Sequence, residues 1–181
     1  MPDREERGHV LVVIAREAIG ERFGLAVRAR RDEPWLAQPA ATFVTLRLEE
    51  DLRGCIGSLD ARRPLGEDVA ANARAAAFSD PRFGPLTAGE FARVSVEVSV
   101  LSARTPLEAA SEREAASRLR PGVDGVYLEY GDFAATFLPQ VWESLPEPRD
   151  FLRQLKRKAG LPPDHWSPDL RFRRDRVETS P

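Results

Sequence analysis

Apolar positions recur along this chain with two periods, and each change of period marks an element boundary. Across residues 9–23, Leu11, Ile14, Ala15 and Ala18 fall on one face at helical spacing, which predicts an amphipathic helix. Residues 32–41 contain two prolines and predict a loop. Phe43, Val44 and Leu46 mark a strand from Thr42 to Leu48. The polar Glu49-Glu50-Asp51 turns the chain, and Leu52 to Leu59 returns as the outgoing arm of a hairpin. Pro64 opens a helix that runs to Phe78, with Leu65, Val69, Ala73 and Ala76 along one stripe. Ser79-Asp80-Pro81-Arg82-Phe83-Gly84-Pro85 predicts a rigid loop carrying a charge pair and an aromatic ring.

The second half follows the same logic. Thr87-Ala-Gly-Glu90 has the spacing of a capping box. From Val94 to Leu101, Val94, Val96, Val98 and Val100 face one side, and Ser95, Glu97 and Ser99 face the other, as in a half-buried strand. Ser111 to Leu119 predicts a helix. Val126–Tyr130 and Phe133–Leu138 flank Gly131-Asp132 as a second hairpin. Gln140 to Leu145 predicts a short helix. Arg149 to Ala159 predicts a longer one, ended by Gly160, with Phe151, Leu152 and Leu155 inward and Arg153, Lys156 and Arg157 toward solvent. Leu170 to Val177 predicts a last strand. Strands joined by tight turns pair antiparallel, so the order of elements predicts an α+β fold, an antiparallel β-sheet flanked by helices. No linker-like segment interrupts residues 1–181, which predicts a single domain.

Composition narrows the setting. Hydrophobic residues make up 42% of the 181 and charged residues 31%, which excludes a disordered chain. No apolar run nears the roughly 20 residues that span a bilayer, and the charged N-terminus does not read as a signal peptide. One cysteine cannot form an internal disulfide, so a reducing cytoplasm is expected. The formal net charge is −2, yet Arg149 to Arg176 holds nine Lys/Arg against four Asp/Glu. That run reads either as a patch for RNA or as solvated faces of a helix and a strand. The second reading is favoured, because no run of exposed aromatics interleaves it. Nucleic acid is therefore not the expected partner.

Candidate chemistry gathers at Leu52-Arg53-Gly54-Cys55-Ile56-Gly57, which contains the only cysteine. In a strand, Arg53 and Cys55 share a face roughly 7 Å apart, at about 3.3 Å of rise per residue. A guanidinium at that range favours a thiolate. Gly54 and Gly57 clear the way for a ligand or another backbone. The plainer alternative is a small buried hydrophobe at Cys55. Secondary candidates are Asp80 and Arg82, Glu97 and Gln140. Three of these have a structural alternative: Asp80 as a turn cap, Arg82 as its partner, Glu97 as a solvated position. His9 and His165 with one cysteine fit no metal spacing, and the chain has no glycine-rich phosphate loop, so no metal and no cofactor is expected.

Leu52 to Gly57 also resembles the signature of the AMME chromosomal region gene 1 family. The likeness continues through Asp80-Pro81-Arg82-Phe83, the Ser95–Leu101 strand, Ala135 to Trp142, and Phe151 to Leu161. These blocks occur in order over nearly the whole chain. The resemblance implies a single domain with a large and a small lobe and the cysteine motif near the cleft between them. It implies candidate roles for Arg53 and Cys55 in chemistry, and for Gly54, Ile56, Gly57, Asp80, Arg82, Glu97 and Gln140 in binding. It further implies association with a Memo-like protein and a radical S-adenosylmethionine enzyme, but no known reaction. Three functions follow for test: an accessory or binding protein, a thiol enzyme using Cys55, and an RNA-associated protein using the basic C-terminal third.

Overall fold

A computed structural model of the chain describes residues 2–25 and 32–181. The helices are α1 (Arg4–Gly20), α2 (Leu65–Phe78), α3 (Ala88–Phe91), α4 (Glu112–Arg118) and α5 (Pro148–Ala159). The strands are β1 (Pro39–Leu48), β2 (Asp51–Gly57), β3 (Arg63–Pro64), β4 (Ser95–Leu101), β5 (Thr105–Pro106), β6 (Asp124–Tyr130), β7 (Phe133–Phe137) and β8 (Arg171–Ser180). The pairings described below are antiparallel, and the class is α+β. The chain divides into two compact units, one holding residues up to Leu101 with Glu178–Pro181, the other Ser102–Val177.

In the first unit β1 lies between β2 and β4, which makes β2 an edge strand. Leu11, Ile14, Ala15 and Ala18 of α1 and Val69, Ala73 and Ala76 of α2 share a core with Val44, Leu46, Val96 and Val98 of the sheet. The helix expected over 9–23 starts earlier, because Asp3 caps it by accepting from the Glu6 amide at 2.9 Å. It ends in a tighter turn, Glu21–Phe23, closed by Gly24 at φ 72°. The loop expected over 32–41 contains a turn at Pro34–Ala37 and then the start of β1. A proline can open a strand when its missing N–H is not needed there, and Pro39 pairs only with Pro64 of β3. Ser99, on the side of β4 expected to be polar and wet, is buried and hydrogen-bonds Thr179 at 2.9 Å.

The second unit orders its strands β8–β6–β7, with β5 beside β8. Gly131 takes φ 57° at the first position of the two-residue turn between β6 and β7, the geometry of a type II′ turn. Gly160 ends α5 at φ 90°, where its amide reaches the Arg157 carbonyl. Phe151, Leu152 and Leu155 are buried as the spacing predicts. Trp142 stacks on Phe151 with centroids 3.8 Å apart and planes 8° apart, and its indole N–H donates to the Asp124 carbonyl at 2.7 Å. Leu155→Ala is expected to cost about 2–5 kcal/mol in urea unfolding; a cost under about 0.5 kcal/mol would place Leu155 at the surface.

One expectation for α5 is overturned. Lys156 is fully buried rather than solvent-facing. Its ammonium donates to Glu112 Oε2 at 2.6 Å and to the His165 carbonyl at 3.1 Å. The helical stripe is wide enough to take in the position after Leu155, and a carboxylate from α4 makes burial of the charge tolerable.

Candidate functional site

The cysteine motif is the body of β2, and the loop Ser79–Thr87 between α2 and α3 runs along its free edge. Thr45 stands opposite Cys55 in the β1–β2 register, and Glu97 stands opposite Thr45 across β1 and β4. Directly opposed residues share a sheet face, so Cys55, Thr45 and Glu97 form one row. Cys55 is half-buried, and its sulfur lies 3.3 Å from the Thr45 hydroxyl.

Simple alternation does not hold at Arg53. The register shifts between Leu46 and Arg47, so that Gly54 opposes Leu46, Leu52 opposes Arg47 and Arg53 is the extra residue. A bulge re-aims the side chain it carries. The Arg53 guanidinium grips Glu90 with both arms, Nε to Oε1 at 2.9 Å and Nη2 to Oε2 at 3.1 Å, and Nη2 also reaches the Gly84 carbonyl at 3.0 Å. Its Nη1 is buried without a hydrogen bond, and the guanidinium lies 5.7 Å from the centre of the Phe83 ring. Glu90 in turn closes the capping box with Thr87 that the spacing predicts.

Asp80 and Arg82 serve the neighbouring residue of the strand. Asp80 is buried, and its Oδ2 accepts the Cys55 amide at 2.9 Å. Arg82 binds both carboxylate oxygens of Asp80, Nε to Oδ1 at 3.0 Å and Nη2 to Oδ2 at 2.8 Å, and donates to the Cys55 carbonyl at 3.2 Å. The Arg82 bond holds the Asp80 carboxyl well below the usual carboxylate range, with the Cys55 and Arg82 amides assisting against burial. Asp80 in turn raises the affinity of Arg82 for its proton, against the opposing effect of burial. Arg82 is thus bound to Asp80 and the Cys55 carbonyl, while Arg53 is bound to Glu90.

The two motif glycines stand where larger residues would collide. A Cβ on Gly54 would lie 2.2 Å from the Ala76 carbonyl oxygen of α2. A Cβ on Gly57 would lie 2.3 Å from the Phe43 ring and 2.6 Å from the Thr42 carbonyl. Both spaces are occupied by this chain's own atoms. Ile56 packs against the first unit's core. Gln140 belongs to the second unit and is exposed on the turn Pro139–Glu143.

Sequence reasoning missed a polar cluster beside this motif. Asp68 is buried and accepts from the Thr42 amide and hydroxyl, Ser58 Oγ, Asn72 Nδ2 and the Arg63 guanidinium, at 2.7–3.0 Å. It forms one wall of a pocket of about 530 Å³ with Ser58, Leu59, Asp60, Arg62 and Arg63. The signal was present: Asp68 and Asn72 lie three and seven residues after Leu65, on the stripe that α2 buries. Burial also pushes the Asp175 carboxyl of the second unit upward, opposed by Arg104 at 3.7 Å. Among the described residues no group of three or more His, Cys, Asp or Glu could hold a metal ion, and no helix is long and apolar enough to cross a membrane.

Acid should test the Arg53–Glu90 pair. The Arg53 bond holds the Glu90 carboxyl at about 2, below its ordinary 4.5. A carboxyl with a lowered folded-state value stabilises fully above its unfolded value, and the contribution fades as pH falls through the folded one. The thermal midpoint is therefore expected to drop between about pH 4.5 and 2, and Glu90→Gln should remove part of that drop. A Glu90→Gln profile parallel to that of the parent over this window would refute the assignment.

The family model for AMMECR1 matches residues 12–179, nearly the whole chain and all of the motif just described. The chain belongs to the AMMECR1 family. A relative from Methanothermobacter thermautotrophicus is 39% identical over 182 residues, covering 96% of this chain and 93% of that protein. A relative from Sulfolobus acidocaldarius is 40% identical over 172 residues, covering 88% of this chain and 74% of that protein. The crystal structure of the uncharacterised Pyrococcus horikoshii protein PH0010 superposes with a TM-score of 0.80 at 34% identity, covering 97% of this chain and 91% of that one. The AMMECR1 blocks read from the sequence pair with each other inside each unit. Arg53–Gly57 meets Asp80–Phe83 in the first. In the second, Trp142 meets Phe151, and Lys158 Nζ reaches the Thr136 carbonyl at 3.0 Å.

Proposed function

We propose that this AMMECR1 chain is a cytoplasmic accessory protein that works by binding, alongside a Memo-like protein and a radical S-adenosylmethionine enzyme as in the AmmeMemoRadiSam grouping its sequence resembles. The observation that carries the reading is the commitment of the charges around Cys55. Arg53 is held by Glu90 and the Gly84 carbonyl, and Asp80 by Arg82 and the Cys55 amide. The sulfur's hydrogen-bond partner is a hydroxyl, which is a poor base. The basic C-terminal run supports binding of RNA little better, since Lys156 is buried against Glu112 and Lys158 is bonded to a backbone carbonyl. The test is co-purification of the tagged chain with the Memo-like protein and the radical enzyme of the same organism. A stable stoichiometric complex with at least one is expected; elution apart from both at micromolar concentration would remove the reading.

A second reading, a thiol enzyme, is favoured by one feature: the Glu97 carboxylate shares the row of Thr45 and Cys55. That reading predicts iodoacetamide labelling with a midpoint below the free-thiol value of about 8.5. It also predicts that the midpoint moves in Glu97→Gln, Arg82→Ala or Arg53→Ala. The accessory reading expects overlapping curves for all four proteins, with a midpoint at or above the free value.

A further inference from the structure

Arg63 is held by one edge of its guanidinium and open at the other. Its Nε and Nη2 donate to Asp68 Oδ1 at 3.0 and 2.7 Å, and Nη2 also reaches Ser58 Oγ at 3.1 Å. Nη1 has no hydrogen-bond partner among the described residues, and the side chain, 44% exposed, lines the pocket that includes Ser58. The anchor behind it is buried. Asp68 is 1% exposed and Asn72 4%, and Asn72 Nδ2 donates to Asp68 Oδ2, the Thr42 carbonyl and Ser58 Oγ at 2.9–3.2 Å. A side chain fixed in this way loses little freedom when a ligand binds it. Arg62 lines the same pocket, is 84% exposed, and meets the half-exposed Asp60 at 3.3 Å. A surface pair of that kind holds a guanidinium weakly. Leu59, 43% exposed, supplies an apolar wall. All of these residues belong to the first unit.

We propose that this pocket binds the phosphate group of a small organic molecule, with Arg63 as the pre-positioned receptor and Arg62 swinging from Asp60 onto the same group. A carboxylate is satisfied by a single guanidinium fork. Two guanidiniums at one cavity match the greater charge and the three oxygens of a phosphate. The cavity of about 530 Å³ lies in the roughly 300–1,000 Å³ range of small-molecule sites, so the rest of the molecule has room against Leu59. Asp68 and Asp60 offset the two positive charges, so the bare ion is expected to bind with a dissociation constant of about 1–10 mM. The site does not use the Cys55 thiol and holds whichever role that residue plays.

The experiment titrates the full chain with inorganic phosphate, and in a second arm with acetate, at constant ionic strength, and reads the backbone amide chemical shifts. Saturable phosphate shifts are expected at Ser58, Arg62 and Arg63, with acetate at least about tenfold weaker. Arg63→Lys keeps a positive charge on Asp68 but loses the outward donor, and should weaken phosphate binding at least about tenfold. Asp60→Asn removes the carboxylate that competes for Arg62, and should tighten it. Phosphate shifts no larger than those of sodium chloride, an acetate affinity equal to that of phosphate, a folded Arg63→Lys that binds like the parent, or an Asp60→Asn that binds no tighter overturns the proposal. If circular dichroism shows Arg63→Lys unfolded, Arg62→Ala takes its place, and undiminished phosphate binding there overturns the proposal equally.

Discussion

Gly54→Ala is expected to cost about 3 kcal/mol or more, the upper end of the range for overpacking a filled site. The added methyl would stand 2.2 Å from the Ala76 carbonyl oxygen and 3.1 Å from its carbon. Both atoms belong to the backbone of α2, so no rotamer change relieves the contact. The helix must move away from the sheet, and that opens the core at Val69, Ala73 and Ala76. Gly57→Ala should also be costly, because its added methyl would meet the root of the Phe43 ring at 2.3 Å and the Thr42 backbone carbonyl oxygen at 2.6 Å. Urea midpoints with unchanged slopes measure both. A Gly54→Ala loss under about 0.5 kcal/mol, the size of a surface change, would show that α2 does not press on β2.

Glu112→Ala should have the next largest effect. Lys156 has no exposed surface, and Glu112 supplies the charge that balances it. Removing the carboxylate leaves the buried ammonium with the His165 carbonyl as its remaining acceptor. Breaking such a pair from one side costs about 3–5 kcal/mol in buried sites. Because Glu112 retains 22% side-chain exposure and water can partly replace it, the lower end of about 3 kcal/mol is expected. Lys156→Met removes the charge and keeps the volume, so it should cost clearly less than Glu112→Ala. The reverse order in urea unfolding would show that α4 and α5 are joined by packing and not by the ion pair.

The physical content of the two glycines separates the readings that the motif invites. A glycine beside a cysteine suggests an approach path for a ligand, and close approach does occur. What approaches Gly54 is the Ala76 carbonyl, and what covers Gly57 is the Phe43 ring. Asp80 and Arg82 likewise look like free polar groups in a loop, yet each has its hydrogen bonds on the backbone of β2. Sequence shows that such residue types stand together. Whether a gap is open or filled depends on segments fourteen or more residues away.

Local pattern decided most of the elements. The stripe of α2, the buried valines of β4, the Gly131 turn and the stop at Gly160 all depend on neighbours within about seven residues, the reach of helical and strand periodicity. The residues of the candidate site were also legible, because unusual types cluster there: one cysteine, close glycines and a charge pair on either side of a proline. Tertiary structure alone decided their relations. The bulge at Arg53 comes from the register of β1 against β2, and it turns the guanidinium to Glu90. The burial of Lys156 depends on Glu112, 44 residues away. The capping of Cys55 by Asp80 joins positions 25 apart. Periodicity carries no information across such separations, because the energy of these contacts exists only once the chain has folded.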